Sequence, residues 1–91
     1  MEIIIHRINK IKELKKIPIN FGTEIDIRSN NSDLILSHDP FLKGDKLENY
    51  FENYKHKTLV LNLKEAGIEK IVLDMVKKYS IKSYFLLDVE M

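Results

Sequence analysis

The sequence predicts an α/β domain built around a parallel β-sheet. Short apolar runs typical of strands alternate along the chain with segments whose apolar residues recur at helical spacing. Two of the runs, 58–63 (TLVLNL) and 84–87 (YFLL), are unbroken, as in parallel strands that are buried on both faces. Strands that alternate with helices pair in parallel through right-handed crossovers. The 91 residues suit one domain, residues 1–91.

Local signals define the elements of the first half of the chain. The β-branched run III is typical of a strand, and the apolar residues after it recur at helical spacing until Pro18 stops the helix, with Asn9 as a candidate cap. The dense turn SNNSD separates two further apolar runs, so the second returns as a strand closed by Pro40. The predicted elements are a strand over residues 3–5, a helix over about 8–15 and strands over 23–28 and 34–37.

The second half predicts two amphipathic helices and the two unbroken strands. His56 lies between two lysines and is predicted to sit in a solvated turn. The aromatic residues before it recur at helical spacing, which is more typical of a core than of a base-stacking surface. The helices are predicted over about residues 46–54, with Leu47, Tyr50, Phe51 and Tyr54 on one side, and over about 68–76, with Ile68, Ile71, Val72, Met75 and Val76 on one side.

The composition excludes several classes of protein. Fifteen basic and fourteen acidic residues leave a net charge of +1, without the basic surplus that phosphate neutralisation in a nucleic-acid binder needs. The chain has no cysteine, which excludes a disulfide framework and a thiolate metal site. No apolar run approaches the ~18 residues of a membrane span, and the N-terminus lacks a signal-peptide pattern. We therefore expect a soluble, cytoplasmic protein.

Polar residues lie where the strands should end. Side chains alternate along a strand, so Glu24, Asp26 and Arg28 share one face of the second strand. Two carboxylates so placed can hold a hard divalent cation, although an edge strand with a solvated face gives the same pattern. His6 follows the first strand and His38 follows the third. Ligands gather at the carboxyl ends of parallel strands, so this combination predicts a binding or catalytic site.

Four short motifs follow one another along the chain. They are His6-Arg7, Glu24-x-Asp26, His38-Asp39 and Asn62-Leu63-Lys64. Their types and order resemble the opening signature of the glycerophosphodiester phosphodiesterases, which belong to the phosphatidylinositol-specific phospholipase C-like superfamily of TIM barrels. A full barrel takes about 250 residues, so the resemblance implies that the chain is the N-terminal portion, with the first four or so strands of an incomplete barrel.

The resemblance also implies an activity, a cofactor and roles for individual residues. The implied reaction is metal-dependent hydrolysis of a phosphodiester in a small molecule or a lipid headgroup, and the implied cofactor is Mg²⁺ or Ca²⁺. The implied roles are general acid and base for His6 and His38, metal ligation for Glu24, Asp26 and Asn62, and phosphate binding for Arg7 and Lys64.

Some positions depart from the family pattern and leave alternatives open. Ile8 stands where the family has glycine, a Glu-Asn-Thr element is missing, and Asn62 stands where the family has an acidic ligand. An amide oxygen still coordinates a cation, but with less charge. One alternative is therefore a truncated, non-catalytic family member that binds a phosphate ester or a partner chain. The other is an unrelated small α/β interaction domain whose acids and histidines decorate the surface.

The incomplete barrel has a consequence for assembly. Four parallel strands cannot close, so the first and last strands would keep unpaired backbone groups. The inward face, with Ile4, Val60 and either Phe85 or Leu86, would lie open. We therefore expect the isolated chain to be poorly soluble or a homo-oligomer and to have negligible phosphodiesterase activity without the missing C-terminal half.

Overall fold

The described part of the chain folds into a five-stranded sheet and three helices, in a computed structural model that describes residues 2–31, 33–39 and 43–87. Pro40, which was expected to close the third strand, lies outside those residues. The helices in these ranges include none that is long and apolar enough to cross a membrane. The elements are β1 (Ile4–Ile5), α1 (Ile11–Leu14), β2 (Gly22–Asn30), β3 (Asp33–Leu36), α2 (Leu47–Glu52), β4 (Leu59–Leu63), α3 (Glu69–Lys78) and β5 (Tyr84–Leu87).

The sheet is parallel except for one hairpin. Four strands lie in the order β1-β2-β4-β5, and each pairs in parallel with its neighbour. One edge of β2 pairs with β1 at Gly22 and Thr23 and then, antiparallel, with β3 at residues 27–30. The other edge pairs with β4 at residues 23–27. The prediction of an α/β domain with a parallel sheet is confirmed.

Strand β2 is longer than the strands beside it. β1 ends level with Thr23 and β4 ends level with Ile27, whereas β2 continues to Asn30 as one arm of the hairpin. Asn31 turns the hairpin at a φ of +59°, a conformation that asparagine tolerates better than most residues. Because its neighbours end early, the segments that leave β1 and β4 begin beside the middle of β2. The residues there are Glu24 and Asp26.

The hydrophobic core lies on one face of the sheet. Alternate residues of β2 and β4 are buried there, and all three helices pack against them. The predicted apolar side of α2 is confirmed, since Tyr50 and Phe51 are buried and Tyr54 packs against the core. Ile71 was predicted on the apolar side of α3 but is 53% exposed. The core residues are Leu14, Ile25, Ile27, Leu36, Leu47, Tyr50, Phe51, Leu59, Leu61, Leu63, Ile68, Val72 and Val76.

No helix among the described residues contributes to the opposite face. The register places Val60 beside Phe85 on that face, next to Glu24. Phe85 is 63% exposed, and Tyr84 and Leu87 are exposed as well. The prediction that 84–87 is a strand buried on both faces is therefore wrong for the described part of the chain. Only Leu86 of that strand packs against the core.

The open face predicts self-association. An exposed apolar strand with an unpaired edge is a template for another chain, because pairing buries apolar area and satisfies backbone groups. We expect the purified chain to sediment as an oligomer and Phe85→Glu to shift it toward monomer. Ile71→Glu is the matched control, since it adds the same charge at an exposed isoleucine on the helical side. Equal sedimentation of wild type and Phe85→Glu would contradict the assignment of the interface to β5.

The buried tyrosines predict a loss of stability in alkali. Burial raises the pKa of the Tyr54 hydroxyl to about 12, while hydrogen bonding to Thr23 opposes that rise. Burial also raises the pKa of Tyr50, whose hydroxyl lies 3.0 Å from Thr23 Oγ1. The fold favours the neutral phenol of Tyr54, so its contribution is complete below pH ~10 and is lost as the pH rises through ~12, whereas that of Tyr50 persists to higher pH. We expect the free energy of unfolding, measured by urea denaturation, to fall between pH ~10 and ~12, and to fall less steeply for Tyr54→Phe than for the wild type. The same pH dependence in both proteins would refute the role of Tyr54.

Candidate functional site

Asp26 is a carboxylate buried in the middle of β2. Its side chain is 1% exposed. Lys64 Nζ lies 3.6 Å from its Oδ1, while Asn9 Nδ2 donates a 2.9 Å hydrogen bond to its Oδ2. His38 Nδ1 lies 3.8 Å from the same Oδ2. A buried ionised carboxylate costs several kcal/mol unless cations and donors surround it, and these three side chains provide that compensation.

Asn9 completes the hydrogen bonding along one edge of β2. The main-chain N–H of Asp26 donates to Asn9 Oδ1 at 2.8 Å, so Asn9 holds both the backbone and the side chain of that residue. On either side of this contact, Ile8 N donates to Glu24 O and Ser37 N donates to Asp26 O. The side chain of Asn9 therefore fills the gap between β1 and β3, where no strand lies.

The predicted capping role of Asn9 is wrong. The N-cap of α1 is Lys10, which makes no capping hydrogen bond through its side chain. The first helical N–H, that of Ile11, donates instead to Asp45 Oδ2 at 2.7 Å. The segment that follows β3 therefore holds the start of α1, and Asn9 hydrogen-bonds to β2 instead.

A second acid–imidazole pair, Glu24 with His6, lies beside Asp26, and Glu24 and Asp26 together are named the carboxylate row. Glu24 lies two residues before Asp26 on the same face of β2, and His6 Nδ1 lies 3.8 Å from its Oε1. Glu24 is half-buried and His6 is exposed. Arg7, directly after His6, has a φ of +55°, a left-handed conformation that turns the chain toward β2 and lets Ile8 bond to it.

His38 reaches the site because β3 returns along β2. The turn SNNSD predicted such a returning strand, and β3 is antiparallel to β2, with its last residue, Leu36, paired with Ile27. His38 therefore returns to the level of Asp26. Arg28 fixes this return, because its Nε donates to Ser37 O at 3.1 Å and its Nη2 donates to His38 O at 2.9 Å.

The remaining predicted residues are divided between two places. Asn62 is the register partner of Asp26 on β4, and Lys64 follows two residues later and pairs with that carboxylate. Arg7 makes no ion pair with a carboxylate among the described residues. It lines a cavity of about 630 Å³ together with His38 and Lys43. His6 and Lys64 are not among the described residues that line this cavity, so Arg7 and Lys64, the predicted phosphate-binding pair, lie in separate places.

Two carboxylates and one amide lie on the same face of β2 and β4. Within residues 2–31, 33–39 and 43–87, no three His, Cys, Asp or Glu side chains lie close enough together to bind a metal ion. Glu24, Asp26 and the amide oxygen of Asn62 offer two carboxylates and one neutral donor. Mg²⁺ is commonly bound by one or two carboxylates, with water and substrate phosphate completing its shell, whereas Ca²⁺ takes six to eight oxygen ligands. The donor set fits Mg²⁺ better than Ca²⁺.

Asn9 and Arg28 are the two residues whose roles sequence reasoning missed. An asparagine before an apolar helical repeat is typical of a helix N-cap, so the sequence pattern around Asn9 indicated capping and not its hydrogen bonds to Asp26. Arg28 was placed on the correct face, but its partners are main-chain carbonyls of a segment ten residues away, which no side-chain motif indicates.

Comparison of the chain with protein-family models, curated proteins and solved structures finds no match. The functional assignment therefore depends on the residues and distances given above.

The contacts of Asn9 predict its contribution to stability. Asn9→Ala removes a hydrogen bond to a buried carboxylate and leaves a main-chain N–H without its partner, a loss of about 1.5–3 kcal/mol in the free energy of unfolding. Asn20→Ala is the matched control, because Asn20 is exposed in the loop before β2. Chemical denaturation in urea measures both. A loss in Asn9→Ala no larger than that of the control would show that Asn9 does not support the carboxylate.

Proposed function

We propose that the chain provides one wall of a metal-dependent phosphodiester hydrolase site, as part of a larger TIM barrel, acting on a glycerophosphodiester-like substrate. The observation that carries the proposal is the pairing of two carboxylates on one strand face with two imidazoles. His6 Nδ1 stands 3.8 Å from Glu24, His38 Nδ1 stands 3.8 Å from Asp26, and the Lys64 ammonium group lies 3.6 Å from Asp26. These contacts around β2 support the proposal because they bring together residues separated by up to 58 positions along the chain, from His6 to Lys64.

The histidines are suited to proton transfer at two points of one substrate. Each presents Nδ1 to a carboxylate, which favours a proton on that nitrogen and leaves Nε2 as the ring atom that can reach a ligand. Their carboxylate partners are two residues apart on one strand, a spacing of roughly 7 Å. In the proposed reaction one imidazole accepts a proton from the attacking hydroxyl while the other donates a proton to the leaving alkoxide.

The carboxylates and Asn62 would hold the metal ion. Bound there, Mg²⁺ would polarise the phosphodiester and neutralise charge that develops on its oxygens. Lys64 would then have a different partner, because a cation beside Asp26 competes with its ammonium group. Lys64, beside Asp26, carries the positive charge that suits it to the phosphate oxygens, and Arg7 would contribute from the cavity that it lines with His38.

A second candidate function is binding of a phosphate ester without hydrolysis. The observation that favours it is that Lys64, Asn9 and His38 already compensate the charge of Asp26. Asn62, beside it, adds no negative charge that would attract a metal ion. A weakened metal site would then leave a basic and amide-lined surface that retains a ligand but does not turn it over.

Metal titration separates these readings. We expect calorimetric titration of the 91-residue chain with Mg²⁺ to show saturable binding, and Glu24→Ala to weaken it at least about tenfold, because one of two charged ligands is lost. Glu52→Ala is the matched control, since it removes the same charge from an exposed position at the end of α2. Weak binding by the wild type favours the non-catalytic reading. No binding contradicts the metal-dependent site and favours an unrelated interaction domain.

Hydrolysis of a glycerophosphodiester, measured alongside, distinguishes binding from catalysis. In an assembly that turns the substrate over, His6→Ala or His38→Ala should lower the rate by about 10²-fold or more. Full activity in either variant would refute the acid–base assignment.

A further inference from the structure

We propose that a second cavity, at the opposite end of the parallel strands from the carboxylate row, binds a phosphate group, either as inorganic phosphate or on a small phosphomonoester. The cavity has a volume of about 400 Å³ and lies between the loop that leads into β4 and the loop that leads into β5. Lys55, Lys57 and Lys82 line it together with the hydroxyl residues Ser80 and Ser83. The inference is independent of the phosphodiesterase proposal, because it uses none of the same residues.

The ionised side chains that line this cavity are all positive. No carboxylate lines it among the described residues, and none of its three lysines forms an ion pair with one. Glu2 is the acid to consider, since its charge interacts with that of Lys57. Its two oxygens, however, accept 2.8 Å hydrogen bonds from the main chain and hydroxyl of Thr58. In a chain with a net charge of only +1, three lysines around one cavity are a local concentration of positive charge.

His56 supplies a second, independent observation. It lines the cavity, and its Nε2 lies 2.8 Å from Ile17 O, so that nitrogen donates to the carbonyl. Its Nδ1 is buried and has no hydrogen-bond partner among the described residues. A buried polar atom without a partner indicates a missing water or ligand, or a small rearrangement when one binds. His56 lies in the loop before β4, as predicted, but its ring is partly buried rather than fully solvated.

Phosphate matches this lining better than a neutral ligand does. Its oxygens accept charge-assisted hydrogen bonds from several ammonium and hydroxyl groups at once, and lysine is a common phosphate ligand in proteins. A protonated phosphate oxygen can also donate a hydrogen bond to the unprotonated Nδ1 of a neutral His56, which has no donor among the described residues. The volume exceeds that of a single phosphate ion, so it leaves room for the organic part of a small monoester.

The test is an NMR titration of the ¹⁵N-labelled 91-residue chain with inorganic phosphate, at constant ionic strength set with chloride. We expect saturable shifts of the amides of residues 55–57 and 80–83. Lys55→Gln/Lys57→Gln/Lys82→Gln should weaken the phosphate affinity at least about tenfold. Lys15→Gln/Lys16→Gln/Lys70→Gln is the matched control, because it removes three exposed lysines elsewhere, and its affinity should stay within about twofold of wild type.

Three results would overturn the proposal: shifts confined to residues near His38 and Lys64, shifts that rise without saturation, or equal weakening in both triple variants. The spectrum of each variant without phosphate verifies its fold. If the first triple variant does not fold, Lys82→Gln alone gives the comparison, because Lys82 is exposed, and an unchanged affinity there counts against the site. Titration with glycerol phosphate in place of inorganic phosphate then distinguishes a monoester site from one for the free ion.

Discussion

The burial of one carboxylate organises this fold. Asp26 is inside the protein, and the segments that follow β1, β3 and β4 each deliver one group to it: Asn9, His38 and Lys64. An uncompensated buried charge would cost more than most single contacts contribute, so these three segments must stay close to β2 for the native state to persist. The same requirement explains why a short β1 and an antiparallel β3 share one edge of β2, with an asparagine side chain between them.

Stability and function draw on the same groups at this site. The cation and donors that stabilise Asp26 also reduce its capacity to bind a metal, since Lys64 and a divalent ion would occupy the same side of the carboxylate. Among the described residues, Glu24 forms its one ion-pair contact with the exposed imidazole of His6, so it is the freer of the two carboxylates. In the proposed site, competition between Lys64 and a metal ion for Asp26 would decide between hydrolysis of a phosphate ester and its binding alone.

Periodicity was sufficient for the α/β class, the parallel pairing and the shared face of Glu24 and Asp26, because all three follow from local patterns of period 2 and 3.6. It was insufficient where tertiary contacts decide the outcome. An apolar run such as YFLL does not reveal whether a neighbour covers it, and Phe85 proved exposed. The role of Asn9 depends on a gap in the strand pairing of β2, seventeen residues away along the chain, which no motif records. The turn SNNSD predicted that β3 returns along β2, but not that Arg28 would hold the segment of His38.

The central claim is that Glu24 and Asp26, with Asn62 beside them, form one divalent-cation site. Mn²⁺ is the most direct probe, because it shares the preference of Mg²⁺ for oxygen ligands and broadens the NMR signals of nearby nuclei. We predict that substoichiometric Mn²⁺ broadens the amides of residues 6–9, 24–26, 37–39 and 62–64 first and leaves those of residues 80–83 sharp. Uniform broadening, or broadening that begins elsewhere, would contradict the claim.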